Sequence, residues 1–289
     1  MMITAAAAEF LQALEAEGRS PHTTAAYRRD LAVFTAFAGP ITLDDVTPAM
    51  LQRFMADHSV QFAPSGAQRA KASVNRYRVT VKALFAWAAA RWIVERNPTS
   101  ILRCQRHRGL PPVVLDANEM TRLLGFPFVG SNAQRDHALI CFMLLTGCRL
   151  SETCALDIAD IDLETNIAVL RTTKGGDPDR VMLSPTLATI LAAHVARCAD
   201  QRGPLFAAGA RRLSTRQVQR IVVARVAEAG INKPITAHSL RHSFATALYN
   251  QTGDIRLVQQ ALRHTHVSTT ETYAQVDPIR WRASVASIA

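Results

Sequence analysis

Apolar residues recur at helical spacing from the start of the chain. Ile3, Phe10, Leu11 and Leu14 fall on one side of a helix over residues 3–17, and Gly18 ends it. Ser20-Pro21 opens a second helix, with Ser as N-cap and Pro at the first helical position, and Tyr27, Leu31 and Phe34 line one side of it. Thr47-Pro48 repeats that start signal for a third. A fourth, over about 68–90, carries Val74, Tyr77, Val81, Leu84, Phe85 and Ala88 on its apolar face, with basic residues interleaved. Four helices with short connections predict a small all-helical domain.

The segment RCQRHRGLPP (103–112) holds four basic residues, a Gly and two prolines, a linker composition. The division expected is a helical domain over 1–107, a linker over 108–112 and a second domain over 113–289. Asp116 with Glu119 forms a capping-box pattern that opens the second domain. A helix over Asp136–Leu145 follows, and then the period changes. ADIDLETNIAVLRTTKGGDPDRVMLS alternates, is rich in Ile, Val and Thr, and is cut by turn residues at 164–166 and 175–178. It predicts three short antiparallel strands at about 158–163, 166–172 and 179–183. Helices return at about 185–199, 214–229, 236–250, 254–261 and 266–273. The fold class expected is mainly α with a small antiparallel β-sheet.

Composition narrows the class of partner. Two domains suit 289 residues, and 48% hydrophobic residues exclude a disordered chain. The formal net charge is +10 and the pI about 10.0. That favours a polyanion, nucleic acid before an anionic membrane surface, over a merely basic protein. The cations are clustered. Arg69, Lys71, Arg76, Arg78, Lys82 and Arg91 lie between Asp57 and Glu95 with no acid among them, and Arg202, Arg211, Arg212, Arg216, Arg220 and Arg225 lie likewise between Asp200 and Glu228. Each half thus carries a basic tract, as expected if both touch one phosphate backbone. Cys104, Cys141, Cys148, Cys154 and Cys198 are odd in number and contain no CxxC, which reads as reduced thiols in a cytosolic protein. No signal-peptide pattern opens the chain, and the longest apolar stretches, such as 138–146, are too short to span a bilayer. A cytoplasmic protein with no membrane association is expected.

Four stretches carry candidate chemistry: TGCRLSE (146–152), where a helix ending near Gly147 places Arg149 in a fixed turn; Lys174 in TKGG, at a hairpin tip; AHSLRHSFAT (237–246), with His238, Arg241 and His242 at a helix start; and RHTHVSTTETY (263–273), with His264 nine residues ahead of Tyr273. Taken singly each has a plain reading. Arg149 is a helix-end ion pair, Lys174 a solvated tip, Tyr273 a packing residue, and His238 a helix residue without a role. His238 and His242 are four apart, a spacing that suits a metal, but no third ligand accompanies them and no metal is expected.

Together, in this order and spacing, they resemble the tyrosine recombinase (phage integrase) family, its Xer-type and integrase members above all. The resemblance covers the second half by motif and the first half by architecture. It implies an N-terminal four-helix SAM-like core-binding domain and a C-terminal tyrosine-recombinase catalytic domain. Arg149 and Arg241 match the family's phosphate-binding pair. A guanidinium presents a planar fork that stays charged, suited to the oxygens of a phosphodiester under attack. Tyr273 matches the nucleophile, Lys174 the general acid for the leaving 5′ oxygen, and His238 and His264 the groups that exchange protons with tyrosine or phosphate. Glu152 and His242 are expected to support them. No cofactor is implied, because two arginines neutralise the phosphate and a phosphotyrosyl ester keeps the bond energy for rejoining.

The partners implied are double-stranded DNA, held by Arg69, Lys71, Arg76, Arg78, Lys82, Arg106, Arg108, Arg212, Arg216 and Arg220, and further copies of the chain in a tetramer on two sites, with or without a partner recombinase or accessory protein. The tail from Asp277, with Ile279, Trp281, Val285 and Ile288, is expected to dock on a neighbouring protomer or on its own domain. Two positions depart from the family pattern. Arg263 stands where the family usually has Gly, and its side chain is expected to reshape the approach to the phosphate or to contact DNA. The hairpin reads GGDPDR where relatives are more basic. Other classes stay open: a type IB topoisomerase-like enzyme, a catalytically silent DNA-binding regulator, and a metal-dependent nuclease. The target site and the biological task are not encoded in any motif.

Overall fold

The computed structural model describes residues 1–104, 111–171, 178–198 and 200–263. The chain divides into two compact units, Met1–Gly109 and Leu110–Ala289.

The first unit is helical: α1 (Ile3–Ala16), α2 (Pro21–Ala38), α3 (Pro48–Ala56), α4 (His58–Gln61) and α5 (Lys71–Ala90), then a 3-10 turn at Pro98–Ile101. The start signals act as the sequence predicts. The Ser20 hydroxyl accepts from the Thr23 amide at 3.2 Å, and Thr47 accepts from Met50 at 3.2 Å. The single turn of α4 is additional, capped by Asp57, which accepts from the Ser59 amide at 2.8 Å. Helix α5 begins later than the pattern suggests. Residues before Lys71 make a turn instead, in which Ala63 donates to the Ala67 carbonyl, Gly66 takes φ +80°, and Phe62 bridges to Gln68. Phe34, Phe54 and Phe85 are fully buried at the centre, with the Phe34 and Phe54 rings 4.9 Å apart. One buried polar group ties α2 to α5. Asp30 accepts the Arg76 fork at 2.7 and 2.6 Å and the Thr80 hydroxyl at 3.1 Å.

The second unit is built around α7 (Ala133–Thr146), in which Ala138 to Leu144 are all fully buried. A helix apolar on every side has to be a central one. Burial of each large side chain in it contributes about 1.5–3 kcal/mol. Around it run α6 (Ala117–Gly125), α8 (Leu150–Ala155), α9 (Pro185–Val195), α10 (Thr215–Glu228), α11 (Ala237–Thr252) and α12 (Ile255–Leu262). Strands β1 (Ile161–Asp162), β2 (Ile167–Leu170) and β3 (Asp179–Met182) form an antiparallel sheet in order β1-β2-β3, with Ile161 opposite Ala168 and Ala168 opposite Val181. They are shorter than the alternating stretches that predict them. A second, two-residue pairing, β4 (Ala207–Ala208) with β5 (Arg211–Arg212), was not expected. The helix expected over 266–273 and the tail from Asp277 lie outside the described residues. Among the described residues no helix is long and apolar enough to cross a membrane.

Candidate active site

The site begins where α7 stops. Gly147 takes the left-handed conformation (φ +62°, ψ +19°). A Cβ there would lie 2.4 Å from Cδ1 of Phe244, so only glycine fits this turn. Arg149 follows as the residue that opens α8. Its orientation is set by Glu152, whose side chain is 1% exposed. One Glu152 oxygen accepts from the Arg149 amide at 2.8 Å and the other from Nη1 at 2.7 Å. Burial works to raise the Glu152 carboxyl, but the bonds from Arg149 and the charges of Arg263 and Arg149 outweigh it, holding it below the usual carboxylate range.

Arg241 comes from α11 and is 3% exposed. Its Nη1 donates to the Gly147 carbonyl and its Nη2 to the Leu262 carbonyl at 2.6 Å. Arg149 Nη2 reaches the next carbonyl along, that of Arg263, at 3.5 Å. Two guanidiniums 92 positions apart in the chain therefore bracket consecutive carbonyls at the end of α12. His238 stands one turn before Arg241. Burial first, then the charges of Arg241 and Arg149, push its imidazole below its ordinary value. His242 packs edge-on against it, ring centroids 4.3 Å apart, and is pushed down to about 4 by burial, His238 and Arg241. Both shifts favour the neutral imidazole over the imidazolium.

The phage integrase family model matches residues 113–280, a span that includes Lys174, His264 and Tyr273, and the phage integrase N-terminal SAM-like domain matches residues 7–91. The chain belongs to the tyrosine recombinases of the phage integrase family. The tyrosine recombinase XerC of Xanthomonas axonopodis pv. citri is 32% identical over 93% of this chain and 91% of its own length. The crystal structure of XerA recombinase aligns over 99% of this chain and 98% of its own, at 26% identity and a TM-score of 0.55. The Tn1549 transposon integrase in complex with circular intermediate DNA shares the fold at a TM-score of 0.77, with 19% identity and 99% of each chain covered.

In this recombinase Lys174, His264 and Tyr273 lie outside the described residues, as do Arg106 and Arg108. The other cations expected on DNA differ in what engages them. Lys71, Arg216 and Arg220 are exposed, and Arg78 is half-buried. Arg69 lies over the Tyr77 ring at 5.7 Å, and Lys82 donates to the Leu102 carbonyl at 3.3 Å. Arg76 is bound to Asp30. Arg212 donates to the carbonyls of Cys154 and Leu156 at 2.8 and 2.7 Å and pairs with Asp157, fastening β5 to the end of α8. Arg263 is the residue that the sequence reading placed least well. It turns inward rather than outward, 9% exposed, with Nη2 2.7 Å from Glu152. The acid that receives it is 111 positions away, and no local pattern links the two.

Proposed function

We propose that this recombinase cuts and rejoins DNA at specific sites through a covalent tyrosyl–phosphate intermediate, with the helical half gripping the duplex and the second half carrying the chemistry. The observation that carries the reading is the convergence of Arg149 and Arg241 on the neighbouring carbonyls of Leu262 and Arg263, with His238 one turn before Arg241 on the same helix. Two forks so fixed can hold two oxygens of a phosphodiester before and during attack. Such preorganised donors are each worth on the order of 10²–10³ in rate. Tyr273 attacks phosphorus through its phenol oxygen, and its proton passes to a neutral imidazole, the role that the family resemblance gives to His238. A phosphorus–oxygen bond to tyrosine forms and the bond to the 5′ oxygen breaks. Lys174 gives the leaving oxygen its proton, and His264 donates to a phosphate oxygen. The freed 5′ hydroxyl of a partner duplex reverses the step and exchanges the strands.

The same reading assigns a tetramer on two DNA sites and action in the cytoplasm. A nicked suicide substrate tests it. Wild type accumulates a covalent protein–DNA adduct, unaffected by EDTA. Tyr273→Phe binds the same DNA and forms none. An adduct with Tyr273→Phe removes the assignment of the nucleophile.

A further inference from the structure

Arg263 sits where a side chain is costly. It ends α12 in the left-handed region (φ 56°, ψ 45°), a conformation usually left to glycine. Strain of this kind persists where surrounding contacts over-determine it. Here the contacts are specific. Nη2 lies 2.7 Å from Oε2 of Glu152 and 3.7 Å from Sγ of Cys148, Nε lies 3.5 Å from Asp179 at the start of β3, and Nη1 donates to the Ala261 carbonyl at 3.4 Å. The side chain is 9% exposed, which turns it away from any DNA laid on the surface.

Charge counting gives the contact a purpose. Arg149 and Glu152 sum to zero, so without a further cation on Glu152 the net charge of the site comes from Arg241 alone. A second guanidinium on Glu152 brings the trio to +1. Asp179, with a side chain 44% exposed, is screened by water and offsets little of that. We propose that Arg263 is a positioning residue: it takes up the Glu152 charge, leaving that of Arg149 for the scissile phosphate, and fastens the turn before His264 to the turn that carries Arg149. This rests on the recombinase reading above.

The test measures cleavage at saturating nicked substrate, DNA affinity and thermal melting together. Arg263→Gly fits the backbone, so its melting and its affinity are expected to stay near wild type, while cleavage slows about a hundredfold, the effect of a misplaced catalytic group. Arg263→Lys keeps the charge and is expected within about tenfold of wild type. In a Glu152→Gln background, where there is no charge to take up, Arg263→Gly is expected to add no more than about twofold. The proposal fails if Arg263→Gly cleaves at the wild-type rate, if the lysine variant is as slow as the glycine variant, or if the two losses multiply. Should the glycine variant not fold, Arg263→Gln, which lacks the charge but keeps a polar side chain, takes its place under the same criteria. A wild type that forms no adduct overturns the reading of the site itself, and this inference with it.

Discussion

A buried carboxylate that receives arginine can be chosen from each half of the molecule, Asp30 and Glu152, and the two clusters do opposite things. In the first half Asp30, with a side chain 1% exposed, takes one fork from Arg76 and a hydroxyl from Thr80. The sum is zero and the result is a tie between α2 and α5. In the second half Glu152, equally buried, takes two arginines, and the sum is positive. At Asp30 one arginine balances the acid locally; at Glu152 the second arginine leaves a charge to offer an anion. Two arginines on one acid do not make a phosphate site by themselves, since Asp136, 4% exposed, receives both Arg135 and Arg225; what marks the Glu152 cluster is that Arg149 also converges with Arg241 on consecutive carbonyls.

The strongest way to break that comparison is to remove a fork from each. Arg149→Ala or Arg241→Ala is expected to slow adduct formation by about 10²–10³ while DNA binding, measured by titration, changes little. Retention of wild-type cleavage in either variant would contradict the assignment. Arg76→Ala instead leaves Asp30 buried with only a hydroxyl, and a stability loss of about 3 kcal/mol is expected by denaturant titration. Asp30→Ala is expected to cost less, about 1 kcal/mol, because the side chain of Arg76 is 47% exposed and can turn to water. If the acid proves the costlier of the pair, the tie is not what holds these helices.

Gly147 sharpens the second cluster without touching its charges. Gly147→Ala adds a methyl 2.4 Å from Phe244 in a left-handed turn. A loss of about 2–3 kcal/mol is expected from strain and overpacking together, with slowed cleavage because Arg149 is displaced. An alanine variant with wild-type stability and rate would show that the turn can relax.

What could be read in advance divides by range. Ser20-Pro21, Thr47-Pro48 and Asp116 with Glu119 act within four residues, so their helix starts are legible and lie where the pattern puts them. The two arginines announce themselves by spacing. The inward turn of Arg263 does not, because its partners Glu152, Cys148 and Asp179 come from other elements. Nor does the fastening of Arg212 to the carbonyls that end α8, since backbone acceptors leave no mark in a sequence. The late start of α5 has the same origin: a bridge between Phe62 and Gln68 competes with helix over residues whose composition permits either.

The histidine pair predicts a gentler effect. His242 falls to about 4 when folded, against an unfolded value near 6.5. The unfolded chain binds the extra proton, so stability is full above about 6.5 and declines as pH falls from there toward 4. The neighbours facing the ring include His238 and Arg241, both of which add to the shift. After discounting for solvent, a loss of about 1 kcal/mol between pH 6.5 and 5 is expected from this group. His242→Gln should flatten that part of the melting-temperature profile. An unchanged slope would place the acid sensitivity elsewhere.

The smallest effect expected is also the one that best separates the two uses of arginine. Arg216 and Arg220 are exposed and one turn apart on α10, so they share a face. Arg212 precedes that helix but is fastened to the end of α8. If Arg216 and Arg220 meet phosphates, each alanine variant should lower the slope of log affinity against log salt by about one and leave melting unchanged. Arg212→Ala should do the reverse, lowering the melting temperature while the slope changes little, because a cation already held by two carbonyls and Asp157 has little charge to give to DNA. A full unit lost from the slope with Arg212→Ala would mean that the contacts to α8 yield when DNA arrives, so that Arg212 is a structural cation in the free protein and a DNA-facing one in the complex.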